Sequence, residues 1–138
     1  MKEQPMILVV DDQHIVRKLA RTVLYWRGYE TVLEAADANS ALDIARTNQK
    51  PPDLLLTDVN LGGGMNGIQL AEAISERWPS TKIILMSGNY ERRLEMKPAW
   101  RFLEKPFAPG VLIETVEELL ADTGQWNRPS RLILQVSR

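Results

Sequence analysis

The stretch PPDLLLTDVNLGGGMNG, Pro51–Gly67, decides how the chain is read. Asp53–Thr57 is a short, mostly apolar run that follows a proline pair, enters Asp58 directly and then loosens into three glycines. An apolar run of this length between turn signals reads as a buried strand. A buried strand that ends on a carboxylate sets that carboxylate at the rim of a sheet. Taken alone, Asp58 reads equally well as a strand terminator or a helix cap, so the decision rests on the rest of the chain.

Outward from this stretch the pattern alternates. Met6–Val10 is a short buried-strand run, and Gln13–Arg27 carries Ile15, Val16, Leu19, Ala20, Val23 and Leu24 at the spacing of a helix face, with Gly28 as terminator. Glu30–Ala35 reads as a second strand. A helix capped by Asp37 or Asn39 follows to about Gln49, with Ala41, Leu42, Ile44 and Ala45 facing inward. After the third strand, Asn66 opens a helix with apolar Ile68, Leu70, Ala71, Ile74 and Trp78, stopped at Pro79. Lys82–Met86 and Trp100–Glu104 read as further strands, and Pro109–Ala121 as a last helix. Strands alternating with helices at this spacing predict an α/β fold, a parallel sheet covered on both faces.

Composition narrows the function. A chain of 138 residues fits one domain with one core, and 44% hydrophobic with 25% charged residues is ordinary for a soluble protein. A formal net charge of -1 gives no reason to expect DNA or an anionic membrane as partner. No cysteine is present, which removes disulfides, thiolate metal sites and a cysteine nucleophile, and is compatible with a reducing cytoplasm. The apolar run before Asp11 is too short for a signal peptide or a membrane span, so a cytoplasmic, soluble protein is expected.

Parallel sheets bind ligands at the carboxyl ends of their strands. Asp11 and Asp12 follow the first strand, Asp58 the third, Ser87 and Gly88 the fourth, Lys105 and Pro106 the fifth. Only the second strand, ending in EAAD, brings no such chemistry. Each residue taken singly has a bland reading: Asp11 and Asp12 as caps, Ser87 as a turn residue, Lys105 as a solvated lysine. Three carboxylates, a hydroxyl and a lysine converging on one rim are much harder to assign to chance.

The set VVDD, LLLTDVNL, ILMSGN and FLEKPF, in this order, resembles the receiver domain of two-component response regulators over about Met6–Ala121. The resemblance implies a flavodoxin-like fold: a doubly wound, five-stranded sheet of order 2-1-3-4-5 with helices on both faces. It implies a receiver domain over residues 5–121 and a tail, 122–138, with no recognisable effector domain. Asp58 is then the phosphoacceptor. Crowded carboxylates repel unless a cation sits among them, and oxygen ligands suit Mg²⁺. By the family pattern Asp12 and Asp58 bind it directly, Asp11 acts largely through water, and the backbone carbonyl of Asn60 completes the protein's share. A carboxylate can attack a phosphoryl group, and such transfers need positioning and charge neutralisation. Lys105 supplies a point charge and Ser87 a hydrogen bond. Ser87 and Phe102 match the family's switch pair, and Asn60 and Asn89 the positions that tune phosphoryl lifetime. The Lys105–Pro106 bond is cis in the family pattern, which would aim Lys105 inward.

The implied function is that of a phosphorelay component that takes a phosphoryl group from a histidine kinase or histidine phosphotransfer protein. It would catalyse its own phosphorylation and dephosphorylation, turn over no external substrate, and signal to a downstream protein through its surface. A homodimer is compatible with the resemblance, and DNA binding by the chain itself is not expected. Lone His14 reads better as the exposed start of the first helix than as a phosphate carrier. Two departures stand out. The loop VNLGGGMNG has glycine where the family often has proline and one extra residue, and GNYERRLEMKPAW leaves room only for a stunted fourth helix, as in receivers attached to hybrid sensor kinases. The tail's apolar Leu132–Leu134 and Val136 would pack on the domain or add a strand to an edge. Two other classes compete. Haloacid-dehalogenase-type phosphohydrolases share the residue set, but their nucleophile comes first in D-x-D, whereas here the acid pair comes first and DVN lacks the second aspartate. A pseudo-receiver that binds partners without phosphorylation stays open because of the altered loop.

Overall fold

A computed structural model describes residues 4–121. The expected tail, 122–138, lies outside the described residues. The element order is β1 (Ile7–Val10), α1 (His14–Trp26), β2 (Val32–Ala35), α2 (Ala38–Thr47), β3 (Leu54–Asp58), α3 (Gly67–Arg77), β4 (Lys82–Ser87), a 3-10 segment (Tyr90–Glu95), β5 (Arg101–Glu104) and α4 (Pro109–Ala121). All strand pairs are parallel, in the order β2-β1-β3-β4-β5.

The central strands β1 (ILVV) and β3 (LLLTD) are buried at every position, which is why β1 and Leu54–Leu56 of β3 are continuous apolar runs with no alternation. Successive side chains divide between two cores. Ile7, Val9, Leu54, Leu56, Ile84, Met86 and Leu103 pack under α1 and α4. Leu8, Val10, Leu55, Ile83 and Leu85 pack under α2 and α3. The helices thus cover both faces, as a doubly wound sheet requires.

Local chemistry sets the element ends. The Asp37 side chain caps α2 by accepting from the Ser40 N–H at 2.8 Å. Asn66 and Gln69 form a reciprocal capping box at the start of α3. The second strand starts at Val32 rather than Glu30, because pairing opens with the Ile7 N–H on the Thr31 carbonyl and Ile7 registers with Val32. The second helix stops at Thr47 rather than Gln49, where the Asn48 side chain donates to the Ile44 carbonyl and turns the chain extended. Between β4 and β5 the expected fourth helix is reduced to the six-residue 3-10 segment, capped by Asn89.

The amphipathic reading of α1 needs one correction. Ala20, Val23 and Leu24 are buried, but Ile15 and Leu19 are 72% and 63% exposed. An apolar stripe spaced at three and four residues can span more of a helix than one packing face covers. Among the described residues, no helix is long and apolar enough to cross a membrane.

Candidate functional site

The carboxyl ends of β1, β3, β4 and β5 meet at one rim, and three of them share a local device. The strand-end side chain accepts a hydrogen bond from the N–H two residues on: Asp11 Oδ1 from Gln13 at 2.9 Å, Asp58 Oδ1 from Asn60 at 3.3 Å, and Ser87 Oγ from Asn89 at 3.0 Å. Side-chain turns of this kind fix a polar group against its own backbone. They also leave the second oxygen of each aspartate free. Both second oxygens face Lys105, whose Nζ donates to Asp11 Oδ2 at 3.0 Å and to Asp58 Oδ2 at 3.1 Å. The Lys105–Pro106 bond is cis.

The aspartates before α1 are not its caps. Gln13 occupies the N-cap position without a side-chain bond, and Asp11 is fully buried at the sheet rim. Asp58 is likewise the last residue of its strand and only 8% exposed. Asp12 is exposed, and carboxylate oxygens of Asp11, Asp12 and Asp58 lie within 4.8 Å of one another. Burial pushes the Asp58 carboxyl above its ordinary range, outweighing the opposing pull of Lys105. Burial pulls the Lys105 ammonium down, but the two carboxylates overcome this and hold it above its ordinary value.

One lysine facing three carboxylates leaves net negative charge at a half-buried spot, and every donor in the group is oxygen. That donor chemistry fits a hard divalent cation such as Mg²⁺ and does not suit a soft one. Asp11, Asp12 and Asp58 are the side chains able to hold it, and Asn60 follows Asp58 on the exposed loop. The altered loop runs beside this group. Gly62 and Gly64 adopt positive φ of 75° and 80°, and a Cβ on Gly62 would lie 3.8 Å from Asp12 Oδ2.

The other sequence candidates fall around the rim. Ser87 is 1% exposed at the end of β4. Its hydroxyl oxygen accepts from Asn89, which leaves the O–H free to donate. The Asn89 side chain is taken up by the Glu91 N–H at 3.1 Å, the cap of the 3-10 segment. Phe102 is half-buried in β5 and meets Tyr90 edge-on, with ring centroids 5.7 Å apart. The Arg93 guanidinium stacks 4.0 Å from the Tyr90 centroid on the same segment. His14 is exposed on the first turn of α1, its Nδ1 3.3 Å from Arg17 Nη2.

Sequence reasoning missed three residues here. Arg17 donates to the Asp11 carbonyl at 2.6 Å and to Glu34 at 3.2 Å, so β2 does contribute chemistry, one residue before its end. Gly67 packs so tightly that a Cβ would strike the Asp58 carbonyl oxygen and lie 2.8 Å from the Asp58 carbonyl carbon. Its signal was the glycine opening a helix beside a strand end.

Residues 7–117 match the family model described as the response regulator receiver domain, and the chain belongs to that family. It is 26% identical over 117 residues to the chemotaxis protein CheY of Thermotoga maritima, covering 82% of this chain and 95% of that protein. It is 35% identical over 118 residues to the sensor kinase CckA of Brucella abortus, a match of 83% of this chain but only 12% of that much longer protein. Among solved structures, the chemotaxis response regulator CheY4 of Vibrio cholerae superposes with a TM-score of 0.75 at 29% identity. That match covers 85% of this chain and 99% of the other.

Proposed function

We propose that the chain is a phosphorylatable receiver in which Asp58 takes a phosphoryl group from a phosphohistidine on a histidine kinase or phosphotransfer protein. The observation that carries this reading is the pair of bonds from Lys105 Nζ to buried Asp11 and Asp58, 3.0 and 3.1 Å long, at the end of a fully buried strand. A structural ion pair needs neither the third carboxylate nor the two-residue turns that aim the second oxygens at one point.

In this reading an Asp58 carboxylate oxygen attacks phosphorus. The oxygen–phosphorus bond forms as the bond from the donor imidazole nitrogen breaks, and the electron pair stays on that nitrogen. Lys105 keeps its hold on Asp11 and turns from Asp58 toward the incoming phosphoryl oxygens, a short move for a flexible ammonium. Ser87 donates its free O–H to another of those oxygens. Asp12, Asp58 and the Asn60 carbonyl would hold Mg²⁺ directly, and Asp11 would act on it through water. Once bound there, such an ion would supply further positive charge to offset the negative charge on the phosphoryl oxygens, beside that of Lys105. Attack of water on the same phosphorus returns the carboxylate, so the chain cycles without turning over an external substrate.

Movement of Ser87 toward the phosphoryl group pulls on its bond from Asn89, and so on the 3-10 segment whose Tyr90 abuts Phe102. Phosphorylation then biases two arrangements of that surface, which a downstream partner reads. Exposed Ile15 and Leu19, one and two turns beyond the acidic rim, give the phosphodonor protein an apolar place to sit.

Intact-mass measurement after incubation with acetyl phosphate and Mg²⁺ tests the reading. One phosphoryl adduct is expected on the wild type and none on Asp58→Asn or with EDTA. An adduct surviving in Asp58→Asn would refute the assignment. No adduct and no beryllofluoride binding on the wild type would favour a partner-binding pseudo-receiver.

A further inference from the structure

Arg17 lies in the second turn of α1 with its side chain 14% exposed, far drier than a surface arginine. Its guanidinium is used in three directions. Nη1 donates to the Asp11 carbonyl oxygen at 2.6 Å, Nε donates to Glu34 Oε1 at 3.2 Å, and Nη2 lies 3.3 Å from His14 Nδ1. Glu34 is held in turn by Arg21 Nη1, which reaches its other oxygen at 3.1 Å. From the opposite side, the Asp11 N–H donates to the Ala35 carbonyl of β2 at 3.2 Å.

The Asp11 carbonyl belongs to the planar peptide that joins Asp11 to Asp12. Fixing its oxygen fixes the direction in which the Asp12 backbone leaves, and with it the origin of the Asp12 carboxylate. Asp12 needs such a hold, since it is exposed and, among the described residues, no hydrogen bond reaches its carboxylate. We propose that Arg17, braced by Glu34, is a positioning residue for the divalent-cation site, setting the Asp11–Asp12 peptide so that Asp12 meets the ion. The inference rests on the phosphoacceptor reading above.

Two effects of Arg17 on a cation oppose each other. As a nearby positive charge it repels the ion, and its removal would tighten binding. As a brace for a ligand it favours the ion, and loss of such outer partners typically weakens metal affinity about 10- to 100-fold. Glu34 pairs with the guanidinium and blunts the repulsion, so positioning wins. Lysine cannot replace it, because a single ammonium lacks the planar fork that spans the carbonyl and the carboxylate together.

The test is a calorimetric Mg²⁺ titration of the full chain in wild type, Arg17→Ala, Arg17→Lys and Glu34→Gln, alongside acetyl phosphate kinetics. Expected is a rise in Kd of roughly tenfold or more for Arg17→Ala, little rescue by Arg17→Lys, and a smaller rise for Glu34→Gln. At saturating Mg²⁺ the phosphorylation rate returns to within about threefold of wild type, since Asp58, Lys105 and Ser87 are untouched. A purely structural role would lower the Tm and leave the Mg²⁺ Kd unchanged. An equal or tighter Kd in a folded Arg17→Ala overturns the inference while the phosphoacceptor reading stands. Absence of Mg²⁺ binding to the wild type overturns both. If the alanine variant does not fold, Arg17→Lys and Glu34→Gln, which keep their bulk, carry the same comparison.

Discussion

Replacing Gly67 by alanine sets two known effects against each other. Gly67 is the first residue of α3, where alanine's advantage as a helix former is at most about 1 kcal/mol, its value in a helix interior. Propensity alone therefore predicts a stabilised protein. The contact predicts the reverse. A Cβ at this position would lie 2.8 Å from the Asp58 carbonyl carbon, 2.9 Å from Val59 Cα and closer still to the Asp58 carbonyl oxygen. All three are backbone atoms of β3 and its exit, so no rotamer change relieves the clash. Either α3 or the end of β3 must move by something on the order of 1 Å in a close-packed interior. Overpacking costs about 1–3 kcal/mol, and a backbone partner puts this case at the upper end, roughly 3 kcal/mol. The net is a loss of about 2 kcal/mol. At about 4 °C per kcal/mol for a domain of this size, the Tm falls by roughly 8 °C. Misplacing a reacting group by about 1 Å can cost on the order of 100-fold in rate, so acetyl phosphate labelling at Asp58 slows as well. Thermal denaturation by circular dichroism and the labelling rate read the two effects. Gly63→Ala is the control, since nothing lies within 4 Å of its Cβ position and its φ is not positive. It is expected to stay within about 0.5 kcal/mol of wild type. A Gly67→Ala protein as stable as wild type, or more so, would refute the reasoning.

Further outcomes follow from the charges and caps. The Asp58 carboxyl titrates above its ordinary value of 3.8 in the folded protein, so it favours folding at low pH, and that contribution is lost as pH rises through the folded value. Lys105 titrates above 10.5, so its contribution is fully present below 10.5 and disappears as pH climbs through the higher folded value. Urea unfolding against pH checks both limbs, and Asp58→Asn should remove the Asp58 contribution at low pH and also weaken the alkaline limb, since Lys105 then keeps only Asp11 of the two carboxylates that hold it up. Mg²⁺ at about 100 times its Kd should raise stability by about 2.7 kcal/mol at neutral pH, an increment that Asp12→Asn reduces. Asn66→Ala breaks the capping box of α3 and should cost about 1 kcal/mol, read as a lower urea midpoint at an unchanged m-value.

The parts of the fold legible in the sequence are those whose cause is local. β1 and the Leu54–Leu56 run of β3 are unbroken apolar stretches because both their faces are buried, and Asp37 and Asn66 announce helices by the chemistry of their side chains. Strand order has no such local signature and was reached through the motif resemblance, not the periodicity. Ile15 and Leu19 misled because helical spacing reports a stripe without saying how much of it a neighbour covers. At the site, Asp11, Asp12, Asp58 and Lys105 could be placed on one rim because each directly follows a strand. Arg17 and Glu34 could not, being 17 positions apart on different elements and joined only when α1 lies over β2. Gly67 was invisible for the same reason, since its constraint is the proximity of the Asp58 backbone.

The central claim is that Asp58 carries the phosphoryl group, and locating the acyl phosphate within the chain tests it most directly. The wild type is labelled with acetyl phosphate and Mg²⁺, reduced with borohydride, which converts an aspartyl phosphate to homoserine, and digested for peptide sequencing by mass spectrometry. The account predicts homoserine at Asp58 and nowhere else. Homoserine at Asp11 or Asp12, with Asp58 unmodified, would contradict it.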